Sequence, residues 1–202
     1  AAMKIYSRVD YREIPFFRDV PESDWRDWKW QFRNTIRDIE TLKKIIHIDE
    51  NEEQELEKVL QTFKMSITPY YAGLMDREYA RGSVRLQGVP SIQELAYNPD
   101  DQEDPLDEDV DSPVPGITHR YPDRVLFLVT RICSMYCRHC TRRRMVGSQD
   151  DHLSRDHMEQ AFEYIREHVE VRDVLLSGGD PLVLDDGPLE EILKRLREIE
   201  HV

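Results

Sequence analysis

Three cysteines, the only ones in the chain, fall inside Cys133-Ser134-Met135-Tyr136-Cys137-Arg138-His139-Cys140. An odd, tightly clustered set does not build a disulfide framework and reads as metal ligation in a reducing compartment. Three chemistries fit the C-x3-C-x2-C spacing. Three thiolates can ligate three irons of a four-iron cluster, leaving one iron open to bind a small molecule and pass it an electron. Zinc with a fourth ligand from elsewhere is the second reading, and unligated thiols the third. His139 is a poor fourth zinc ligand, being adjacent to Cys140 and bracketed by Cys137. Its place in the loop points instead to contact with a bound ligand.

Two further groups carry chemical potential. Ser177-Gly178-Gly179-Asp180 follows an apolar run, where a glycine pair lets a backbone approach a ligand closely or simply makes a turn. Arg142-Arg143-Arg144 offers forked donors for a carboxylate or phosphate. Alone it would read as a solvated basic patch or a nucleic-acid contact. The chain, however, carries 28 Lys+Arg against 41 Asp+Glu and a net charge of −13. That excludes a general phosphate-backbone binder, so any basic site is local. No apolar stretch is long enough to span a bilayer or act as a secretory core, so no membrane or nucleic-acid partner is expected and a cytoplasmic setting is.

The elements that must position these groups read as α/β. With 39% hydrophobic residues there is enough apolar material for one or two packed domains. Residues 1–115 read as a helical region without a strand signal. Trp25, Trp28, Phe32, Ile36 and Ile39 recur at helical spacing and predict one amphipathic helix. A second is expected from about Asn51 to Ser66, with Leu56, Val59, Leu60 and Phe63 inward and Pro69 ending it. Residues 98–115 are too acidic and Pro-rich for a regular element and form a connector, either solvated or paired with Arg-rich neighbours.

From residue 116 to 202 the pattern changes. Val125–Val129 predicts a strand buried on both faces, as in a parallel sheet. Ser154 caps a helix with Met158, Ala161, Phe162, Ile165 and Val169 on one face. Val174-Leu175-Leu176 predicts a second buried strand, and Leu189, Ile192, Leu193, Leu196 and Ile199 a second amphipathic helix. Two such βα units cannot close a barrel, which takes about 250 residues. Either something else completes the sheet or the chain is part of a longer protein, and an isolated piece with open sheet edges is expected to aggregate.

A strand followed by the cysteine motif, with Ser177–Asp180 after the next strand, resembles the radical S-adenosylmethionine (SAM) superfamily. More narrowly, Asp24–Gln31, Ile67–Tyr71, Asp111–Arg124, Cys133–Arg144 and Val171–Asp180 are similar to the lysine 2,3-aminomutase family. The resemblance implies an N-terminal helical region followed by the first βα units of an incomplete radical-SAM (β/α) TIM-like barrel. It further implies an isomerase in which a radical made from SAM at a reduced [4Fe-4S] cluster moves an amino group from C2 to C3 of an amino acid held by pyridoxal 5′-phosphate (PLP).

On that resemblance Cys133, Cys137 and Cys140 ligate the cluster, and His139 lies near the adenine. Ser177, Gly178, Gly179 and Asp180 line the methionyl end of SAM. Arg142 forks the substrate carboxylate, and Arg120, Tyr121 and Arg124 surround the PLP phosphate, with pairing to the acidic connector as the alternative for the two arginines. The implied partners are an amino-acid substrate, an electron donor of flavodoxin or ferredoxin type, and further copies of the chain in a homo-oligomer. L-Lysine giving L-β-lysine is the expected reaction. Glutamate 2,3-aminomutation and a non-catalytic iron–sulfur fragment remain as alternatives. PLP chemistry needs a Schiff-base lysine, and Lys194 is the only lysine after Lys64. Activity of these 202 residues alone is therefore not expected.

Overall fold

The computed structural model describes residues 10–96, 98–147 and 153–202. They form two compact units, one comprising the chain up to Asn98 together with Ser134–Cys140, the other Pro99–Cys133 together with Thr141–Val202.

The first unit is built from short helices: α1 (Glu22–Arg26), α2 (Trp28–Arg33), α3 (Ile39–Leu42), α4 (Glu50–Leu60), α5 (Pro69–Gly73) and α6 (Ser83–Gly88). The single helix expected across Trp25–Ile39 is therefore three pieces. Asp27 is extended, and its carboxylate accepts the Lys29 N–H at 2.9 Å, so it caps a fresh helix rather than continuing the previous one. At the far end Asn34 Nδ2 donates to the Trp30 carbonyl and Thr35 Oγ1 to that of Phe32, which terminates α2. Ile36 then leaves the helix and pairs with Ile67 as an isolated antiparallel bridge. Of the aromatic stripe, Trp25 stacks on Tyr11 at 4.1 Å while Trp28 is exposed.

The second helix also differs from expectation. α4 is capped by Asp49 and stops at Leu60, where the Gln61 and Thr62 amides tighten onto the Lys58 and Val59 carbonyls in i→i−3 bonds. Leu56 and Val59 are buried, whereas Phe63 is only partly so. Pro69 does not end this helix. It opens α5 at the first helical position, where its missing N–H has no partner to lose. Arg85 of α6 is buried and donates to Glu52 of α4 at 2.6 and 2.7 Å and to the His47 carbonyl at 2.9 Å, which ties the two helices together.

The second unit is a three-stranded sheet in the order β1 (Ile117–Tyr121), β2 (Arg124–Thr130), β3 (Asp173–Gly178), with α7 (Arg155–Glu167) and α8 (Asp186–Arg197). β2 and β3 are parallel, in register Val125↔Val174 through Leu128↔Ser177. β1, unexpected from its polar sequence, pairs antiparallel with β2 through Ile117↔Phe127. The sheet is mixed, not purely parallel.

Val125, Phe127 and Val129 are buried with Ala161, Phe162 and Ile165 of α7 and Ile192 and Leu196 of α8. Phe127 meets Phe162 edge-on at 5.4 Å. The intervening Leu126 and Leu128 are only partly buried, so β2 alternates as a strand with one covered face does. β3, expected to be buried, lies at an edge of this sheet and leaves Leu175 48% exposed. Ser154 caps α7 through the His157 amide as expected. Val169 lies beyond the end of α7 and is exposed, as is Leu193 of α8. No helix among the described residues is long and apolar enough to cross a membrane.

Candidate functional site

The cysteine loop begins where β2 ends. Cys133 belongs to the sheet unit, and Cys137 and Cys140 to the helical unit. Within the helical unit the loop is held by backbone bonds. The Thr68 amide donates to the Ser134 carbonyl at 3.2 Å, Tyr136 to Ser66 at 2.9 Å and Arg138 to Gln87 at 2.8 Å. Met135 is buried against Gly88, where a Cβ would come 2.8 Å from its sulfur. Arg138, inside the motif, donates to both oxygens of Glu94 at 3.0 and 2.6 Å and to the Lys64 carbonyl at 2.9 Å. Its side chain is 8% exposed and that of Glu94 14%. The small helices thus act as the mount for this loop.

The three cysteines are not joined in disulfides, and all are partly buried. Burial pushes the Cys137 thiol above its ordinary value, and the neighbouring Cys140 adds to the effect. Two thiolates so close disfavour each other unless a cationic centre lies between them, the environment an iron centre supplies. The reduced donor set therefore suits a soft metal. Among the described residues no three histidine, cysteine or carboxylate side chains stand grouped as a metal site. His139 is exposed.

The glycine segment is joined to the approach to this loop. Past the end of β3, the Gly179 amide donates to the Thr130 carbonyl at 2.6 Å and Asp180 to that of Ile132 at 2.8 Å, one residue before Cys133. Gly178 has φ +115°, and a Cβ there would lie 3.3 Å from the Thr130 carbonyl carbon and closer still to its oxygen. A Cβ on Gly179 would lie 2.7 Å from the Ile132 carbonyl carbon. Only glycine allows this approach. With the two amides engaged, the segment has carbonyl oxygens and the Asp180 carboxylate to offer a cationic amine. That carboxylate also accepts the Leu182 amide at 3.0 Å. These features suit the methionyl ammonium of SAM.

Arg142, Arg144 and Arg120 are paired with the acidic connector. Arg142 forks onto Glu108 of the connector, with Nε to its oxygens at 3.1 and 2.9 Å and Nη2 at 2.6 Å. Arg144 pairs with Asp104 at 3.0 Å and Asp109 at 2.7 Å. Asp104 is held below the usual carboxylate range, first by the Asp109 amide. Arg120 donates to Asp111 at 2.7 Å and to the Leu106 carbonyl. Of the two readings of the connector, pairing with arginines is the one realised. Glu108, Glu94 and Arg138 were missed as positioning groups from the sequence; the only hint was an acidic run in a chain that also holds an arginine run.

The residues expected around the PLP phosphate lie in β1, at its end and at the start of β2. Arg124 is engaged by Asp123 at 2.9 and 3.2 Å, and Arg120 by Asp111, while Tyr121 is exposed. Lys194 lies exposed on α8 in an ion pair with Glu190 at 2.7 Å, an unsuitable Schiff-base donor.

Comparison with known proteins agrees with the metal-site reading. The family profile of the radical SAM superfamily matches residues 127–202. The L-lysine 2,3-aminomutase of Clostridium subterminale is 51% identical over 191 residues, 95% of this chain and 46% of that protein. Its counterpart in Acetoanaerobium sticklandii is 55% identical over 187 residues, 93% of this chain and 45% of that protein. The glutamate 2,3-aminomutase of Clostridioides difficile is 45% identical over 183 residues, 90% of this chain and 43% of that protein. The chain spans about half the length of the curated relatives it matches. With identity of this order running through both units and a cysteine loop leaving the end of a sheet strand, the chain belongs to the lysine 2,3-aminomutase family of the radical SAM superfamily.

Proposed function

We propose that this chain carries the cluster- and SAM-binding part of an L-lysine 2,3-aminomutase, an isomerase converting L-lysine to L-β-lysine. The observation that carries the reading is 51–55% identity to proteins of that name over at least 93% of the chain. Identity to a glutamate 2,3-aminomutase is lower, at 45%.

In this reading Cys133, Cys137 and Cys140 hold a [4Fe-4S] cluster and Ser177–Asp180 receive the methionyl end of SAM, with His139 toward the adenine. When bound, the two groups supply one-electron cleavage of a sulfonium and, through it, hydrogen abstraction from an unactivated carbon. The chain's own part is positional. The backbone bonds of Ser66, Thr68 and Gln87 and the Arg138–Glu94 pair fix the cysteine loop. Gly178 and Gly179 bring β3 close to the residues leading into Cys133, and Arg142 presents guanidinium N–H groups to the substrate carboxylate. The sheet supplies the first strands of a (β/α) barrel, with residues 1–115 as a helical region and 116–202 as the start of the barrel domain.

Aminomutation also calls for PLP, whose lysine these residues do not provide, and we assign it to the length of the relatives that this chain does not span. A flavodoxin- or ferredoxin-type electron donor, a cytoplasmic setting and a homo-oligomer complete the proposal.

The test is anaerobic reconstitution of the complete protein with iron and sulfide, then reduction in the presence of SAM with L-lysine or L-glutamate. Lysine-dependent 5′-deoxyadenosine and L-β-lysine are expected. A glutamate-only product would reassign the substrate, and a cluster whose EPR signal ignores SAM would overturn the radical reading.

A further inference from the structure

Glu108 lies in the acidic connector, yet only 5% of it is exposed, and its two oxygens take one edge of the Arg142 guanidinium. A guanidinium has two such edges, Nε with one Nη, and the pair of Nη groups. Glu108 occupies the first. The side-chain hydrogen bonds of Arg142 to described residues go to Glu108 through Nε and Nη2, which leaves the Nη1–Nη2 edge for a second carboxylate.

The loop that carries Glu108 is itself fixed. Ser112 Oγ donates to the Glu108 carbonyl at 2.9 Å, the Asp109 amide donates to Asp104 at 2.8 Å, and Arg144 pairs with Asp104 and Asp109. Asp107 adopts φ 51° to turn the chain there, a backbone that aspartate tolerates better than most residues. On the other side, the Met145 and Val146 amides both close onto the Arg142 carbonyl, and the Gly147 amide reaches the Arg131 carbonyl. Both ends of the ion pair are therefore held by their own backbone.

We propose that Glu108 is a positioning residue for Arg142, locking its guanidinium so that the Nη1–Nη2 edge meets the α-carboxylate of the amino-acid substrate. The proposal rests on the reading of Arg142 as the carboxylate-binding group. Glu108 trades some of the positive charge for a defined orientation, and orientation is what a bidentate carboxylate contact requires.

The experiment measures equilibrium binding of L-lysine and of L-lysinamide, which lacks the carboxylate, to the complete reconstituted protein and to its Arg142→Gln, Glu108→Ala and Glu108→Gln variants. Arg142→Gln should erase the preference for the carboxylate. Glu108→Ala should weaken L-lysine binding about tenfold to a hundredfold, as loss of a group supporting a binding residue does, and leave L-lysinamide unchanged. Glu108→Gln keeps the volume and should fall between, so it carries the test if the alanine variant does not fold.

If Arg142→Gln retains the preference, the reading of Arg142 fails and this proposal with it. If Arg142→Gln erases the preference but both Glu108 variants keep it, the proposal alone is overturned. Equal losses for both ligands would make Glu108 merely structural, and tighter lysine binding would make it a competitor for the guanidinium. Either result overturns the proposal.

Discussion

Replacing Gly178 by alanine places a side chain where the fold leaves no room. At φ +115° an L residue is outside its normal regions, at a cost of about 1–3 kcal/mol. The three atoms nearest the new Cβ are all backbone, the Thr130 carbonyl carbon and oxygen and, at 3.4 Å, Leu128 Cα, and backbone cannot rotate out of its way as a side chain can. Relief requires the end of β3 to move off β2, which stretches the 2.6 Å Gly179–Thr130 and 2.8 Å Asp180–Ile132 hydrogen bonds. At about 1 kcal/mol each, these bring the expected destabilisation to about 3–5 kcal/mol.

Gly187 provides the control. A Cβ there meets nothing within 4 Å, and the residue sits inside α8, so Gly187→Ala should be neutral or stabilising by about 0.5 kcal/mol. Urea unfolding of the complete protein reads both variants, and SAM affinity should fall only in Gly178→Ala. A Gly178→Ala unfolding free energy within about 0.5 kcal/mol of the parent's, the range of ordinary surface changes, would refute the reasoning.

Breaking the buried Arg138–Glu94 pair with Arg138→Met should destabilise the helical unit by about 3–5 kcal/mol, since it takes the guanidinium away from a largely buried carboxylate. Faster amide exchange at Tyr136 and at position 138 and lower iron content after reconstitution would register it. Phe127→Ala should cost about 3–5 kcal/mol by opening a cavity beside Phe162, read as a lowered urea midpoint. Asp123 is held down to about 2 by hydrogen bonds from Arg124 first and Arg172 next. Its folded-state value lies below the unfolded one, so its contribution is present above about pH 4 and is lost as pH falls toward 2. Arg124→Gln should raise the Asp123 carboxyl titration followed by NMR; a midpoint that stays in place would discount the pairing.

The elements read most clearly in the sequence were those whose signal is local. Val125–Val129 and Val174–Leu176 are apolar runs, and both are strands. Ser154 followed by Met158, Ala161, Phe162 and Ile165 is a capped amphipathic pattern, and it is α7. The pattern failed where side chains compete with the backbone. Asp27, Asn34 and Thr35 capture amides or carbonyls and cut an apparently continuous Trp-rich helix into pieces. β1 was hidden because Thr118, His119 and Arg120 carry no strand signature, and only the hairpin with β2 makes them extended.

The sequence by itself determined which residues can do chemistry: the three cysteines and their spacing, the glycine pair past the second apolar run, and a guanidinium two residues beyond the last thiol. The tertiary structure alone decided how those groups are held. Arg142 finds Glu108 across 34 positions and Arg138 finds Glu94 across 44, and Gly178 is glycine because Thr130 of another strand stands against it. The physical reason is that side-chain chemistry is a property of the residue, whereas the partner of a charge and the clearance above an α-carbon are set by the path of the chain between them.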